Sequence, residues 1–367
     1  MKNILVYPCG TDDALEINKA IGRLPQCRLF GIDNYRSNKG RYIYLNFLGY
    51  LEIDSPLFIE ELQSIINNNS IDLIFPASSN ALIALTKHRD LLDAQIVAPE
   101  FETCTSCLSN DKMKNLYNDM EFILKEEKIN NCNITICCFT DRNGQLKYSK
   151  NITVDHKANF PNTSIERLSK YINTYLQLRG PWSYKLKVNY EQGRIKITPG
   201  IIPEMALCRI QGVNLSALSF FDFINHNIEI KEIILNYEVK EIKTFRYKID
   251  CNYDSVYIDL DDTILIHGKI NSLMVAFIFQ CLNESKRIHL ITKHHFELWT
   301  TLANNRLEKL FDSIYWLKHF EEKYRYIRNE RAIFIDDSYV ERKKVEEKLG
   351  IPTFEVSAIE CLMDWRL

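Results

Sequence analysis

Three aspartates follow a run of strand-forming residues in the segment V-Y-I-D-L-D-D-T, residues 256–263. The branched and aromatic side chains that begin the segment are typical of a buried strand. Asp259, Asp261 and Asp262 come directly after them. Like charges placed this close cost free energy unless a cation or a proton offsets them. The segment therefore indicates either a cation-binding site or an acidic turn in a solvated loop.

Two further predicted strands end in polar residues. The run I-H-L-I-T ends at Thr292, and the run I-F-I-D-D ends at Asp336 and Asp337. Because the carboxyl ends of parallel strands line one crevice, we expect these side chains to converge with Asp259 and Asp261. Such a group of oxygens suits a hard cation, above all Mg²⁺. The combination favours a magnesium site over two unrelated acidic loops.

The elements that must position these residues alternate between strand and helix, which predicts a parallel sheet covered by helices. The predicted strands are 255–258, 288–291, 332–335 and 353–356, and the predicted helices are 271–282 and 341–348. Residues 251–367 are therefore predicted to form one α/β domain of normal size.

The four polar motifs resemble those of the haloacid dehalogenase-like (HAD) phosphohydrolases, over residues 254–360. The motifs are D-x-D-x-T after a strand, a strand ending in Thr, a Lys, and a strand ending in D-D. The resemblance implies that Asp259 is the nucleophile and that Asp261 is the general acid and then the general base. It also implies that Thr292 holds a phosphoryl oxygen. The expected Mg²⁺ ligands are Asp259, Asp261 through its carbonyl, Asp336 and Asp337.

Two lysines precede the D-D strand, and the sequence leaves open which one belongs to the lysine motif. We favour Lys323, at the predicted start of a short helix, over Lys318. His294 and His295 follow the threonine motif and could approach a substrate or be polar loop residues. The intervals between the motifs are too short for a large cap domain. The resemblance therefore implies a capless, Rossmannoid domain with an open crevice.

The first 250 residues divide into two predicted domains. Residues 1–108 alternate strands and helices, which predicts a further parallel α/β domain. Residues 109–250 contain predicted antiparallel strands at 134–139, 185–190 and 194–197, with a helix at 164–178. A half-buried strand is predicted where Phe245, Tyr247 and Ile249 alternate with polar residues. This second domain is therefore α+β.

These two domains resemble, more weakly, the ATP-grasp ligases. Residues 1–108 are similar to their leading α/β domain, and residues 109–250 to a reduced ATP-grasp domain. The family's E-I-N-P-R motif is replaced by Lys196-Ile-Thr198-Pro-Gly200, which places a cation where metal ligands should be. We expect the region to be inactive as a ligase and to act as a lid that selects the substrate. The alternative is that it and the C-terminal domain are two independent units on a tether.

The composition of the chain limits the classes of partner that it is expected to bind. The chain has 367 residues, 46% of them hydrophobic, and a formal net charge of −2, which gives no support for binding nucleic acid or an anionic membrane. No apolar run is long enough to span a bilayer.

The eleven cysteines lack regular spacing, and no secretion signal is evident, so reduced thiols in a cytoplasmic protein are expected. The pair Cys104 and Cys107 lacks the partners of a zinc site. The oligomeric state stays open.

The leading hypothesis is a Mg²⁺-dependent phosphohydrolase acting on a small phosphorylated metabolite through an aspartyl phosphate. The alternatives are an ATP-dependent carboxylate–amine ligase with an accessory phosphatase domain, and a non-catalytic scaffold. The sequence does not identify the substrate.

Overall fold

The structure is a computed structural model that describes residues 1–34, 39–126, 132–152, 161–188, 193–233, 251–328 and 331–366. The chain divides into two compact units. One contains Met1–Ile242 with the last two residues, and the other contains Lys243–Trp365. The predicted separation of residues 1–108 from 109–250 within the first unit stays a prediction.

The first unit begins with a five-stranded parallel sheet in the order β3-β2-β1-β4-β5. Its strands are β1 (Lys2–Tyr7), β2 (Cys27–Asp33), β3 (Asn46–Tyr50), β4 (Leu73–Pro76) and β5 (Gln95–Ile96). Its helices are α1 (Asp12–Ile21), α2 (Phe58–Asn69), α3 (Ser79–Lys87) and α4 (Phe101–Leu108). Buried side chains line both faces of this sheet, in agreement with the near-continuous apolar runs of its strands.

A four-stranded antiparallel sheet in the order β7-β6-β8-β9 follows in the same unit. Its strands are β6 (Cys132–Thr140), β7 (Leu146–Asn151), β8 (Gly180–Val188) and β9 (Gly193–Pro199). The accompanying helices are α5 (Asn110–Glu126), α6 (Asn162–Leu176), α7 (Ala206–Ile210) and α8 (Leu215–Phe223). Helices α5 and α6 contribute buried residues to the same hydrophobic cluster as this sheet.

The second unit contains another five-stranded parallel sheet, in the order β14-β13-β10-β15-β16. Its strands are β10 (Ser255–Ile258), β13 (Arg287–Thr292), β14 (Ser313–Trp316), β15 (Ala332–Ile335) and β16 (Thr353–Phe354), and a separate hairpin is formed by β11 (Leu265–Ile266) and β12 (Lys269–Ile270). The helices are α9 (Ser272–Asn283), α10 (Leu298–Asn304), α11 (Tyr339–Leu349) and α12 (Ile359–Leu362), with 3₁₀ turns at Lys323–Tyr326 and Val356–Ala358.

Strand order alone identifies where a ligand site can form in this second sheet. The chain runs outward from β10 through β13 to β14, and then returns to β15 on the other side of β10. In an open parallel sheet, the carboxyl edge at this reversal forms a crevice. Ile258 pairs with Ile335 across β10 and β15, so Asp259 and Asp336 are the next residues in register at that edge.

Most of the predicted elements are confirmed as to type, and the mixed α/β class with parallel sheets is confirmed. Elements that the sequence did not predict include β3, β14, the hairpin of β11 and β12, and the helices α3, α4, α7, α8, α10 and α12. The strand predicted around Phe245–Ile249 lies outside the described residues.

Among the described residues, the intervals between the polar motifs of the second unit contain only the hairpin of β11 and β12, helices and β14. None of the described helices combines the length and apolar character that a membrane crossing requires.

Helix α9 provides a test of the core of the second unit. Asn271 caps the helix by accepting from the Met274 amide, and Met274, Phe277, Ile278 and Cys281 form its buried stripe. Phe277 is fully buried, whereas Phe279 is 49% exposed on the same helix.

We expect Phe277→Ala to lower the free energy of unfolding of this unit by about 3–5 kcal/mol, because it leaves a cavity in the core. The matched change Phe279→Ala should cost less than about 1 kcal/mol. Hydrogen exchange of the β10 and β13 amides in the full chain measures both, and equal effects would contradict the packing described here.

Candidate active site

A buried lysine joins two carboxylates at the crevice of the second sheet. The Nζ atom of Lys323 donates to Asp259 Oδ1 and to Asp336 Oδ2, both at 2.6 Å. All three side chains are at most 8% exposed. Because register partners in parallel strands point to the same face, β10 and β15 force the two aspartates together. The ammonium group then offsets the charge that this register concentrates.

Burial is the largest single influence on the pKa of each of these three groups. It raises the pKa of Asp259 to about 7, with Lys323 opposing the shift and Asp336 reinforcing it. Burial also raises the pKa of Asp336 against the opposing influence of Lys323. For Lys323 burial alone would lower the pKa, but the two carboxylates outweigh it, and the pKa is raised. The lysine is therefore held as an ammonium ion.

Asp337 completes a group that can hold a metal ion. Among the described residues, one carboxylate oxygen from each of Asp259, Asp336 and Asp337 lies within 4.8 Å of the others. Three carboxylates are the hard oxygen donors that Mg²⁺ prefers, so the side chains present fit the predicted cation. The Asp261 side chain is not in this group; its predicted ligand atom is the backbone carbonyl.

The loop that carries Asp336 and Asp337 is fixed by several hydrogen bonds. The Asp337 amide donates to the hydroxyl of the buried Thr263 at 3.1 Å, which ties the loops after β10 and β15 to each other. Arg342, from α11, donates to the carbonyl oxygens of both Asp336 and Asp337 at 2.6 Å. Ser338 donates its amide to Asp336 Oδ1 at 2.8 Å. These bonds hold the candidate metal ligands on a defined backbone.

Asp261 lies at the rim of the crevice and contacts a histidine. Its side chain is 50% exposed, and its two carboxylate oxygens lie 2.9 and 3.0 Å from Nδ1 of the buried His294. The adjacent Asp262 adopts a left-handed backbone conformation, with φ of 53°. Its amide donates to the Leu265 carbonyl at 2.7 Å, which closes a tight turn after Asp261.

The structure shows which of the remaining candidate residues contact the predicted site residues. Thr292 is fully buried at the end of β13, and its hydroxyl oxygen accepts the His294 amide at 3.2 Å. Lys318 is exposed, its backbone amide donates to Glu321, and its ammonium group lies 5.9 Å from the ring centroid of Phe320. The ring of the exposed His295 lies 6.1 Å from that of His319. Of the two lysines and two histidines, Lys323 and His294 are the ones bonded to the predicted site residues.

Sequence reasoning missed three contributions to the site. It identified Thr263 as part of a motif but did not predict that its hydroxyl accepts from the Asp337 amide, and it gave no role to Arg342. It left open whether His294 approaches a substrate or is a polar loop residue, and it did not predict the contact with Asp261. The position of Thr263 four residues after Asp259 was a usable signal, whereas nothing in the spacing of Arg342 indicated its contact.

The first unit places its candidate residues differently. On β9, Lys196 is exposed and Thr198 is partly buried, and Gly200 follows the strand. Within the described part of this unit, no group of three metal-ligating side chains converges. Cys104 and Cys107 lie buried on α4, and burial raises the pKa of both thiols to about 12. Neither is a thiolate at neutral pH, which disfavours a redox role.

Comparisons with known proteins assign no family. No protein-family model matches the chain, and no curated protein matches it. Among solved structures, the chain is similar to a complete multifunctional pyruvate carboxylase from Rhizobium etli, with 13% identity and a TM-score of 0.46. The match covers 62% of this chain and 24% of the carboxylase.

Two further structures show a similar likeness. One is Rhizobium etli pyruvate carboxylase with the allosteric activator acetyl coenzyme A, at 12% identity and a TM-score of 0.47, over 62% of this chain and 28% of that one. The other is a single-chain, multi-domain long-chain acyl-CoA carboxylase, at 11% identity and a TM-score of 0.46, over 61% of this chain and 28% of that one. The chain thus spans about a quarter of these carboxylases, and a likeness this weak assigns it no activity.

We expect Lys323→Met to destabilise the second unit, because it leaves two buried carboxylates without their cation. Removal of one partner from a buried ion pair costs about 3–5 kcal/mol. The cost should be larger at about pH 8.5 than at about pH 6. Burial already raises the pKa of Asp259 to about 7 with Lys323 in place, and loss of the cation that opposes this shift raises it further. Asp259 can therefore take up a proton at the lower pH and remove part of the repulsion, whereas protonation costs more at the higher pH.

Hydrogen exchange of the β10 and β15 amides, without divalent cations and corrected for intrinsic rates, measures the effect. The matched control is Lys318→Met, which should change the free energy of unfolding by less than about 0.5 kcal/mol. An equal loss in both variants would show that the buried ion pair does not stabilise the site.

Proposed function

We propose that residues 251–367 catalyse the Mg²⁺-dependent hydrolysis of a small phosphorylated metabolite through an aspartyl phosphate. The observation that carries this proposal is the convergence of Asp259, Lys323 and Asp336 at the strand reversal, with Asp337 close by. Phosphoryl transfer requires a nucleophile and neutralisation of the charge on the phosphoryl oxygens. The residues in the crevice supply both, and the four motifs shared with the HAD phosphohydrolases support the same reaction.

In the first step, a carboxylate oxygen of Asp259 attacks the phosphorus, and the bond from phosphorus to the leaving oxygen breaks. Asp261 donates its proton to that oxygen as the alcohol departs. The half-exposed side chain of Asp261, at the rim of the crevice, is accessible to a leaving group. The products of this step are the free alcohol, an aspartyl phosphate on Asp259 and an ionised Asp261.

In the second step, water attacks the phosphorus of the aspartyl phosphate, and Asp261 accepts a proton from that water. The bond between phosphorus and the Asp259 oxygen breaks, so that inorganic phosphate leaves and both aspartates return to their starting states. The same carboxyl group therefore acts first as an acid and then as a base.

The surrounding residues stabilise the phosphoryl group. Asp259, Asp336 and Asp337 would hold Mg²⁺, which supplies positive charge to the phosphoryl oxygens when bound. Lys323 adds a buried positive charge beside the nucleophile. The buried hydroxyl of Thr292, at the end of the neighbouring strand, is the group that we assign to a phosphoryl oxygen.

We expect the full chain to release phosphate from 4-nitrophenyl phosphate in the presence of Mg²⁺ and to lose this activity in a chelator. Asp259→Asn should lower kcat/KM by several orders of magnitude, because it removes the covalent nucleophile. The assay follows nitrophenolate absorbance, and a panel of phosphorylated metabolites then searches for the natural substrate.

The control for this substitution is Asp262→Asn, which makes the same chemical change three residues away. Asparagine tolerates the left-handed conformation of that position, so the loop should be retained. Its kcat/KM should stay within about threefold of the wild type. Undiminished turnover in Asp259→Asn would contradict the proposed function.

An ATP-dependent carboxylate–amine ligase is the second candidate, and the weak sequence resemblance of residues 1–250 to the ATP-grasp ligases is the reason to test it. Against it stand the exposed cation Lys196 at an expected metal position and the lack of a converging metal-ligand group among the described residues of that unit. We favour an ATP-grasp-like region without ligase activity. Its role as a substrate-selecting lid stays a prediction of the sequence, as does the scaffold alternative.

We expect no ATP binding by the first unit. Calorimetry of the full-length Asp259→Asn chain with ATP and Mg²⁺, in saturating inorganic phosphate, should detect no heat of binding. The phosphate occupies the crevice of the second unit, so any remaining signal comes from elsewhere in the chain. A micromolar dissociation constant under these conditions would revive the ligase.

A further inference from the structure

His294 is the best-defined side chain near the site to which the proposed mechanism gives no role. It lies two residues after Thr292 and is 7% exposed. Its Nδ1 atom lies within 3.0 Å of both carboxylate oxygens of Asp261. A half-exposed aspartate on a loop ordinarily samples several rotamers, and this contact restricts it to one.

The imidazole ring is itself fixed on its far side. Its Nε2 atom lies 2.8 Å from the hydroxyl of Thr301 on α10. Both ring nitrogens of His294 therefore have polar partners, and the ring plane is defined by two elements of the unit. A side chain held in this way can act as a rigid support for its partner.

The backbone of His294 is held as firmly as its ring. Its amide donates to the Thr292 hydroxyl oxygen at 3.2 Å, and its carbonyl accepts from the indole nitrogen of Trp316 at 2.9 Å. These bonds tie the residue to the ends of β13 and β14. Through His294, the Asp261 carboxylate is therefore held in a fixed orientation relative to the sheet edge that carries Asp259.

We propose that His294 is a positioning residue that holds the Asp261 carboxyl group in the orientation needed to protonate the leaving oxygen. This inference rests on the proposed phosphohydrolase function. His294 does not contact the reacting atoms in the proposed mechanism; it acts through Asp261. General acid catalysis depends on geometry within hydrogen-bond reach, so loss of the support should slow the reactions that need a proton from Asp261.

Leaving groups of different basicity distinguish this role from general support of the fold. Phenolate is a basic leaving group that needs protonation, whereas 2,4-dinitrophenolate departs without it. The parameter to compare is kcat/KM, because it reports the steps up to departure of the leaving group. A purely structural role would lower kcat/KM for both substrates by the same factor.

The experiment measures kcat/KM of the full chain with Mg²⁺ for phenyl phosphate and 2,4-dinitrophenyl phosphate. We expect His294→Leu to lower the value for phenyl phosphate about 10- to 100-fold and the value for dinitrophenyl phosphate less than about threefold. His294→Asn should restore most of the loss, because its side-chain amide nitrogen can take the place of Nδ1. The neighbouring substitution His295→Leu, on an exposed side chain, is the matched control and should change neither value.

The outcomes separate the two hypotheses. Equal losses for both substrates in His294→Leu, or undiminished hydrolysis of phenyl phosphate, would overturn the positioning role and leave the proposed function intact. If His294→Leu does not fold, the leaving-group dependence of His294→Ala and the recovery in His294→Asn decide in the same way. A wild-type chain that hydrolyses neither substrate with Mg²⁺ would overturn the proposed function and the positioning role together.

Discussion

The ammonium group of Lys323, held between the carboxylates of Asp259 and Asp336, is the interaction on which the second unit depends. The parallel register of β10 and β15 places two acidic side chains beside each other in a buried crevice. Two carboxylates alone would be expensive there, because burial disfavours their ionised forms. The single positive charge of Lys323 makes this arrangement compatible with a folded sheet. The three aspartates still carry a net negative charge, which a divalent cation can neutralise.

The rest of the site is built so that backbone geometry defines side-chain positions. Asp259, Thr292 and Asp336 all lie at carboxyl ends of neighbouring strands, where the sheet fixes their spacing. The loops after β10 and β15 are held by bonds with main-chain atoms. The Thr263 hydroxyl accepts from the Asp337 amide, and Arg342 donates to the Asp336 carbonyl. A reaction that depends on in-line attack benefits from such rigidity, because small misplacements of the nucleophile slow it strongly.

The sequence predicted four of the five strands of the second sheet, because their residues are nearly all apolar and end abruptly in polar ones, as at Ile335 and Asp336. It missed β14, of whose four residues none is buried, and β3, which is irregular in register and includes Gly49 at a φ of 118°. It favoured Lys323 over Lys318, but only the path of the chain brings one of these lysines to the carboxylates. The contact of His294 with Asp261 depends on rotamers, which residue spacing does not encode.

The hydrogen bond between Trp316 and His294 has a consequence for the fluorescence of the protein. The chain has four tryptophans, and the indole of Trp316 donates to the carbonyl of His294 while its side chain is 45% exposed. Trp182, in contrast, is fully buried in the first unit. Indole emission shifts with the polarity and the hydrogen bonding around the ring. A variant that keeps Trp316 as its only tryptophan would therefore report, without a label, a rearrangement of the loop whose His294 contacts Asp261.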